Sequence, residues 1–248
     1  MILASYVYDT ILTIIRKDQQ GSAFKISEYN NIIKLVNYEL YNAYAAVIGE
    51  DISSVEALKD FMKLGDSISL TAGVGDLPAT YERILGKPYW VTGSSTIEID
   101  LITSLEKADR LRDDLTKPTT ADPVAIIGGV DGSGNSQISV YPTTGITTIY
   151  IDFLAIPATP LLDYYVDSVG QYVYMIEDAD NVTIPTGAIY SDGTAGPTTK
   201  NSATVNFEWH PDQTPVIINM VLQKAGIILS KQVAIEYGLA RETKEIQQ

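Results

Sequence analysis

The sequence predicts an α+β protein: N- and C-terminal helices packed as an α-helical layer, with a large antiparallel β region inserted between them. Apolar residues recur at helical spacing before Gly65 and again after Pro211, while the stretch between is rich in Tyr, Ile, Val and Thr punctuated by Gly and Pro. The first pattern marks amphipathic helices and the second marks strands and turns. A chain of 248 residues buries roughly 70% of its unfolded surface, enough for one large domain or two modest ones. The expected division is a helical core of residues 1–75 plus 210–248 and a β-rich insertion at 76–209, with a long loop near 187–202.

The first helix runs from Ala4 to Lys17, with Tyr6, Ile11, Ile14 and Ile15 at broadly helical spacing, and Gly21 and Ser22 break it. Ser27 is placed to cap the next helix, because its hydroxyl can accept from a backbone N–H of the first turn. That helix carries Tyr29, Ile32, Ile33, Val36, Leu40, Ala43, Tyr44 and Val47 as one apolar stripe, with Asn30, Asn31, Lys34, Asn37 and Asn42 largely off it. Gly49 is a C-terminal stop. Ser54 caps a short helix from Val55 to Lys63 that ends near Gly65.

Strands begin at Ile68. Gly86 with Pro88, and Gly93 with Ser94, mark turns, and Ile97, Ile99 and Leu101 alternate with Glu98 and Asp100 as a half-buried strand. Ser104 caps a helix whose stripe is Leu105, Ala108, Leu111 and Leu115, and Pro118 ends it. Pro123–Gly129 reads as a buried strand, followed by a Gly-rich hairpin loop in which glycine supplies positive φ. Ser136–Pro142 and Ile146–Pro157 are the next strands, and 163–185 suggests a further hairpin. The stretch 187–202 has no periodicity and reads as a long exposed loop. Val205–Trp209 is the last strand. Val216, Ile217, Met220, Val221, Lys224 and Ala225 give the face of the C-terminal helix, Gly226 breaks it, and Leu229, Val233, Ile235, Tyr237 and Leu239 suggest a second helix before a charged tail.

Formal net charge is −14, from 31 acidic against 17 basic residues. Such a chain does not grip phosphates, since nucleic-acid affinity comes from Lys and Arg displacing counterions. There are no cysteines, so disulfides and Cys-ligated metals are excluded. The N-terminal run lacks a positive region before its apolar part and is interrupted by Ser5, Asp9 and Thr10, so it reads as an amphipathic helix, neither a leader nor a membrane anchor.

No catalytic, metal or cofactor residues are assigned, and no enzyme is expected. His210 is the only histidine, and a Ser-His-Asp triad or a multi-histidine zinc site would both require it. It sits at a strand–helix boundary, where packing near Trp209 and Pro211 is the simpler role. Asp131, Ser133 and Asn135 have the opening spacing of a calcium loop, but Ser136 replaces the required glycine and no glutamate closes the loop. Glu98, Asp100, Glu106 and Asp109 cluster at a strand–helix junction, which reads as a solvated charged face beside Lys107, Arg110 and Arg112. The 16 tyrosines suit both sheet packing and subunit interfaces. No phosphate-binding loop motif and no basic recognition helix occur.

Four blocks in order carry a family resemblance: SEYNNIIKLVNYELYNAY (27–44), DLPATYERILG (76–86), LTKPTTADPVAII (115–127) with SQISVYP and the strand ending IPATP, and VNFEWHPDQTPVIINMVLQKAGIIL (205–229). Their order and spacing resemble the neck or ring adaptor proteins of tailed phages, closest to the crAss-like short-tailed phages of Bacteroidetes. The stretch 187–202 departs from that pattern in being longer and richer in Thr and Gly. The resemblance implies a virion protein made in the host cytoplasm that forms a closed homo-oligomeric ring of about twelve copies, a heterologous assembly. It would bridge the portal protein and further neck or tail rings, with double-stranded DNA passing through its lumen unbound and with no cofactor. An acidic lumen would let DNA slide. On this reading Val233, Ile235, Tyr237 and Leu239 are the anchors to portal or neighbouring subunit. The alternative is a β-rich phage appendage or a cell-surface or carbohydrate-binding module using Trp90, Trp209 or exposed tyrosines; a hydrolase with facing carboxylates is the remaining class.

Overall fold

The computed structural model describes residues 1–17, 24–48, 52–132 and 134–226. In chain order the elements are α1 (Ala4–Lys17), α2 (Ile26–Ala46), α3 (Ile52–Leu58), β1 (Met62–Ser69), β2 (Val74–Asp76), β3 (Tyr81–Ile84), β4 (Tyr89–Thr92), β5 (Ser95–Glu98), β6 (Asp100–Leu101), α4 (Ser104–Arg112), β7 (Val124–Val130), β8 (Ser136–Tyr141) and β9 (Thr148–Ala155). They continue with β10 (Tyr164–Val166), β11 (Tyr172–Tyr174), β12 (Val182–Ile184), β13 (Ile189–Tyr190), β14 (Thr198–Lys200) and α5 (Thr214–Lys224). The α+β class holds, with a β region between terminal helices. The chain divides into two compact units, Met1–Leu58 with the chain from Ala158 onward, and Lys59–Pro157.

The first unit is built on α2. Its buried face carries Ile26, Tyr29, Ile33, Val36, Leu40 and Tyr41, and also Asn30 and Asn37. The two asparagines are seven residues apart, two helical turns, so they share a face. Asn30 closes a two-bond ring on the backbone of Leu162, donating from Nδ2 to its carbonyl at 2.9 Å and accepting its N–H at 2.9 Å. Asn37 donates to the Ala158 carbonyl at 3.1 Å and accepts from the Trp209 indole N–H at 2.7 Å. The segment 158–162 therefore has helix side chains as its hydrogen-bond partners.

The stretch Asn206–Trp209 completes this clasp. Asn206 accepts the Ala4 N–H at 2.8 Å at the start of α1, Phe207 forms a bridge with Ile2, and Glu208 accepts the Ala158 N–H at 2.8 Å. Trp209 is fully buried and its ring lies 6.0 Å from that of Tyr44. Tyr29 donates to the Ala4 carbonyl at 2.8 Å, so α1 is fixed from α2 as well. Helix α5 packs on α1 and α2 through Ile217, Val221 and Leu222, which gives the expected α-helical layer.

The second unit holds two sheets. In one, β9 is central and pairs antiparallel with β1, β3 and β4, and β5 pairs with β4. In the other the order is β2-β8-β7-β6, with β6 and β7 parallel, the one departure here from the expected antiparallel pattern. Both sheets feed one core, including Ile68, Ile99, Ile138, Val140, Ile151 and Phe153. The β1–β2 turn needs glycine: a Cβ on Gly75 would lie 2.5 Å from Ile68 Cγ2 and 2.9 Å from the Ser69 carbonyl, and Gly73 has φ +81.

Several expectations change. The units divide at 59 and 157, not at 76 and 209, because the α2 asparagines hold the chain from Ala158 onward against the helices. The buried face of α1 is Ala4, Val7, Tyr8 and Ile11, while Tyr6 is exposed. Lys25, not Ser27, is the N-cap of α2, and Glu28 accepts its N–H at 3.5 Å. Ser54 is buried within α3, and Met62–Ser69 is a strand where the sequence suggested a helix end. Ile97–Leu101 is split between the two sheets, with buried Ile99 between them. The stretch 187–202 is not a bare loop: β13 pairs with β10 and β14 with β12, and Ala188 and Tyr190 join Met175 and Ile184 in a core cluster. Val205–Trp209 makes isolated bridges rather than a strand ladder. Gly21, Ser22, Gly49 and the expected second C-terminal helix lie outside the described residues.

Replacing Asn37 by Ala strands the Trp209 indole N–H in the interior, and such a group costs about 1–3 kcal/mol. Asn37→Ala is expected to lose about 1–3 kcal/mol in urea denaturation. Asn42→Ala, on the exposed side of the same helix, is expected to stay within about 0.5 kcal/mol. Equal effects would contradict the clasp.

Candidate interaction surfaces

Helix α4 starts with a complete capping box. The Thr103 hydroxyl accepts the Glu106 N–H at 3.3 Å and the Glu106 carboxylate accepts the Thr103 N–H at 2.7 Å. The Thr103 backbone N–H first, and then the Thr103 hydroxyl, which donates to the same carboxylate at 2.9 Å, hold the Glu106 carboxyl below its ordinary pKa. The cap is one residue earlier than Ser104. The apolar stripe expected to face the core does not do so: no residue of α4 is buried, Leu105 is 77% exposed, Leu111 41%, and Leu115 just beyond is 95%. The helix lies over the sheet through Lys107, whose Nζ donates to the Tyr141 hydroxyl at 2.5 Å and sits 4.4 Å from that ring's centre. Between helix and sheet remains a groove of about 600 Å³ lined by Ser104, Lys107, Ala108, Leu111, Ile126, Gly128, Gly129 and Ser139.

In the first unit a second apolar surface lies at an edge strand. β11 pairs with β10 and forms the border of the sheet β11-β10-β13. Along it Tyr172 and Val173 are exposed, and the flanking Val169 and Ile176 are 75% and 61% exposed. The hairpin tip is pre-shaped: the Asp167 carboxylate accepts the N–H groups of Val169 at 2.9 Å and Gln171 at 2.8 Å.

Behind this edge, buried Asp163 collects donors from several elements. It accepts from the Tyr190 hydroxyl, from the Ser191 hydroxyl at 2.7 Å and from the Ala203 N–H at 2.9 Å. Its own N–H donates to the Thr204 hydroxyl at 2.9 Å, which in turn donates to the Met175 carbonyl at 2.5 Å. Burial first, and then donation to Asp163, push the Tyr190 hydroxyl up to about 12.

The residues singled out from sequence fall as follows. His210 Nδ1 is 2.9 Å from the Asp212 carboxylate at the surface, at the start of a short 3₁₀ turn (Pro211–Gln213). Asp131 is spent on its own turn, accepting from the Asn135 backbone N–H at 2.8 Å and side-chain amide at 3.0 Å. Ser133 lies outside the described residues, and among the described residues no cluster of His, Cys, Asp and Glu could hold a metal ion. Glu98 and Asp100 share Lys87, at 3.6 and 2.9 Å, and the Lys87 hydrogen bond lowers the Asp100 pKa. Tyr29 and Tyr41 belong to the core, while Tyr6 and Tyr38 are exposed. Trp209 is sealed inside and bonded to Asn37, so it offers no platform to a sugar. Val233, Ile235, Tyr237 and Leu239 lie outside the described residues. The α4 groove and β11 edge were missed because both are built from residues whose sequence pattern reads as core.

Among the described residues no helix is long and apolar enough to cross a membrane. No protein-family model matches the chain, and no curated protein matches it.

Tyr190 supplies a test of the Asp163 hub. Its folded pKa is raised above the ordinary 10.0, so the stability it contributes is fully present below pH 10 and is lost as pH rises toward about 12. Tyr190→Phe is expected to cost about 2 kcal/mol at neutral pH, the worth of a hydrogen bond to a charged group. It should also flatten the alkaline fall in stability. An unchanged alkaline profile in thermal melts at graded pH would contradict it.

Proposed function

We propose that this chain is a structural ring subunit of a tailed-phage neck, bridging portal and tail around the DNA exit channel. The observation that carries the reading is the colinear set of four blocks, 27–44, 76–86, 115–127 with its following strands, and 205–229. The last of these includes Asn206–Trp209, whose residues fasten α1, α2 and the returning chain at Ala158. Two further features support it. The chain carries two separate apolar surfaces, on α4 and on β11, and a head-to-tail ring needs two different, complementary surfaces on each copy. A net charge of −14 suits a channel that DNA passes through without sticking.

In this reading the virion holds the protein in the neck, and the tail from Val233 onward docks on the portal. Quantitative mass spectrometry of purified virions tests the assignment. The expected result is equal copy number with the portal protein; absence from particles would overturn it and favour a cell-surface or carbohydrate-binding module, which a glycan array would then test. Deleting Val233–Gln248 is expected to leave the cooperative unfolding transition in place while abolishing portal binding in a pull-down. Undiminished portal binding would remove those residues from the interface.

A further inference from the structure

Helix α2 leaves part of its outer face open. Leu35 is 48% exposed and Tyr38 58%, and the exposed residues Asn31 and Asn42 flank them. Offsets of four, seven and eleven put all four on one stripe, away from the packed face. The helix carries three charged residues. Glu28 accepts the Lys25 N–H, Glu39 pairs with Lys224, and Lys34 borders Tyr38 one turn away. The middle of the stripe is therefore apolar.

The described chain ends beside this stripe. Lys224, the last residue of α5, donates to the Glu39 carboxylate at 2.7 Å. Glu39 lies one turn on from Leu35, and residues four apart on a helix are surface neighbours. Gly226 then takes φ +71, and a Cβ there would meet nothing within 4 Å. The glycine serves the left-handed turn that ends a helix and takes the chain off its axis. Residues 227–248 start from that point. Between Ile227 and Ala240 the only charged residues are Lys231 and Glu236, and the segment is mostly apolar. Each extended residue reaches about 3.3 Å, and a tethered segment meets a nearby face at about millimolar effective concentration. Leu35 and Tyr38 of the same chain therefore compete for it ahead of a partner in dilute solution.

We propose that the segment 227–239 folds back over Leu35 and Tyr38 of its own chain. The contact is autoinhibitory: Val233, Ile235, Tyr237 and Leu239 are held on α2 until the portal takes them. This second half rests on the ring reading above; the fold-back itself does not.

The chain has no cysteine, so a unique pair can be introduced. Asn42→Cys at the end of the stripe and Gln232→Cys in the tail are combined in one full-length chain and treated with a short bis-maleimide at low protein concentration. The expected product is a cross-linked monomer. A tether alone brings the two thiols together some of the time, so the deciding comparison is the same chain with Leu35→Gln and Tyr38→Gln. Both changes lie on an exposed face and glutamine is a good helix former, so the fold should hold, which circular dichroism checks. Cross-linking is expected to slow by at least about tenfold, the loss from uncovering a large apolar side chain. A rate that ignores these changes, or linking between chains rather than within one, overturns the fold-back. Portal pull-downs with the cysteine-free chains read the second half. Leu35→Gln with Tyr38→Gln should bind portal about tenfold more tightly, because the tail is no longer shared with α2; equal binding overturns the autoinhibition. In-chain cross-linking that depends on Leu35 and Tyr38, with no portal binding by either chain, keeps the fold-back and removes the ring reading alone.

Discussion

A buried helix face must satisfy every polar group it covers, and α2 covers two asparagines. Their four polar atoms are matched by the backbone of Leu162, the carbonyl of Ala158 and the indole of Trp209. Buried amides cost free energy unless paired and specify position when they are. Asn30 and Asn37 therefore define where the chain returns after residue 157, and Trp209 is held where α5 begins. Distant stretches of sequence, 2–4, 26–46, 158–162 and 206–209, become one body through these contacts.

From that body the rest of the first unit follows. With Ala158 and Leu162 set, Asp163 enters the interior and gathers Tyr190, Ser191 and Ala203 around it. A carboxylate with several donors ties down the short strands β10–β14, which have little ladder of their own. The second unit depends on a different device, the central strand β9 and a core drawn from two sheets. Its helix α4 contributes nothing to that core. What α4 and the β11 edge have in common is apolar surface left open.

Much of this was legible in the sequence. The fold class, the spans of α1 and α5, and the strands β7 to β9 follow from periodicity and punctuation, because their apolar faces are regular. The misreadings have a shared physical cause. Asn30 and Asn37 look like surface residues by type, and only a partner more than a hundred positions away makes them interior. Tyr190 and Ala188 sit in a Gly/Thr-rich stretch with no period, and a tertiary hub, not a pattern, folds it. Leu105, Leu111 and Leu115 look like a core stripe, yet they are exposed: periodicity reports that a face is apolar but not what covers it.

The central structural claim is that Asn37 and Trp209 act as one unit. A double-mutant cycle with Asn37→Ala, Trp209→Phe and the double variant measures this by urea denaturation. The account predicts a coupling of about 1 kcal/mol or more, since residues sharing a buried hydrogen bond are non-additive. Additivity within about 0.3 kcal/mol, the behaviour of independent sites, would contradict it.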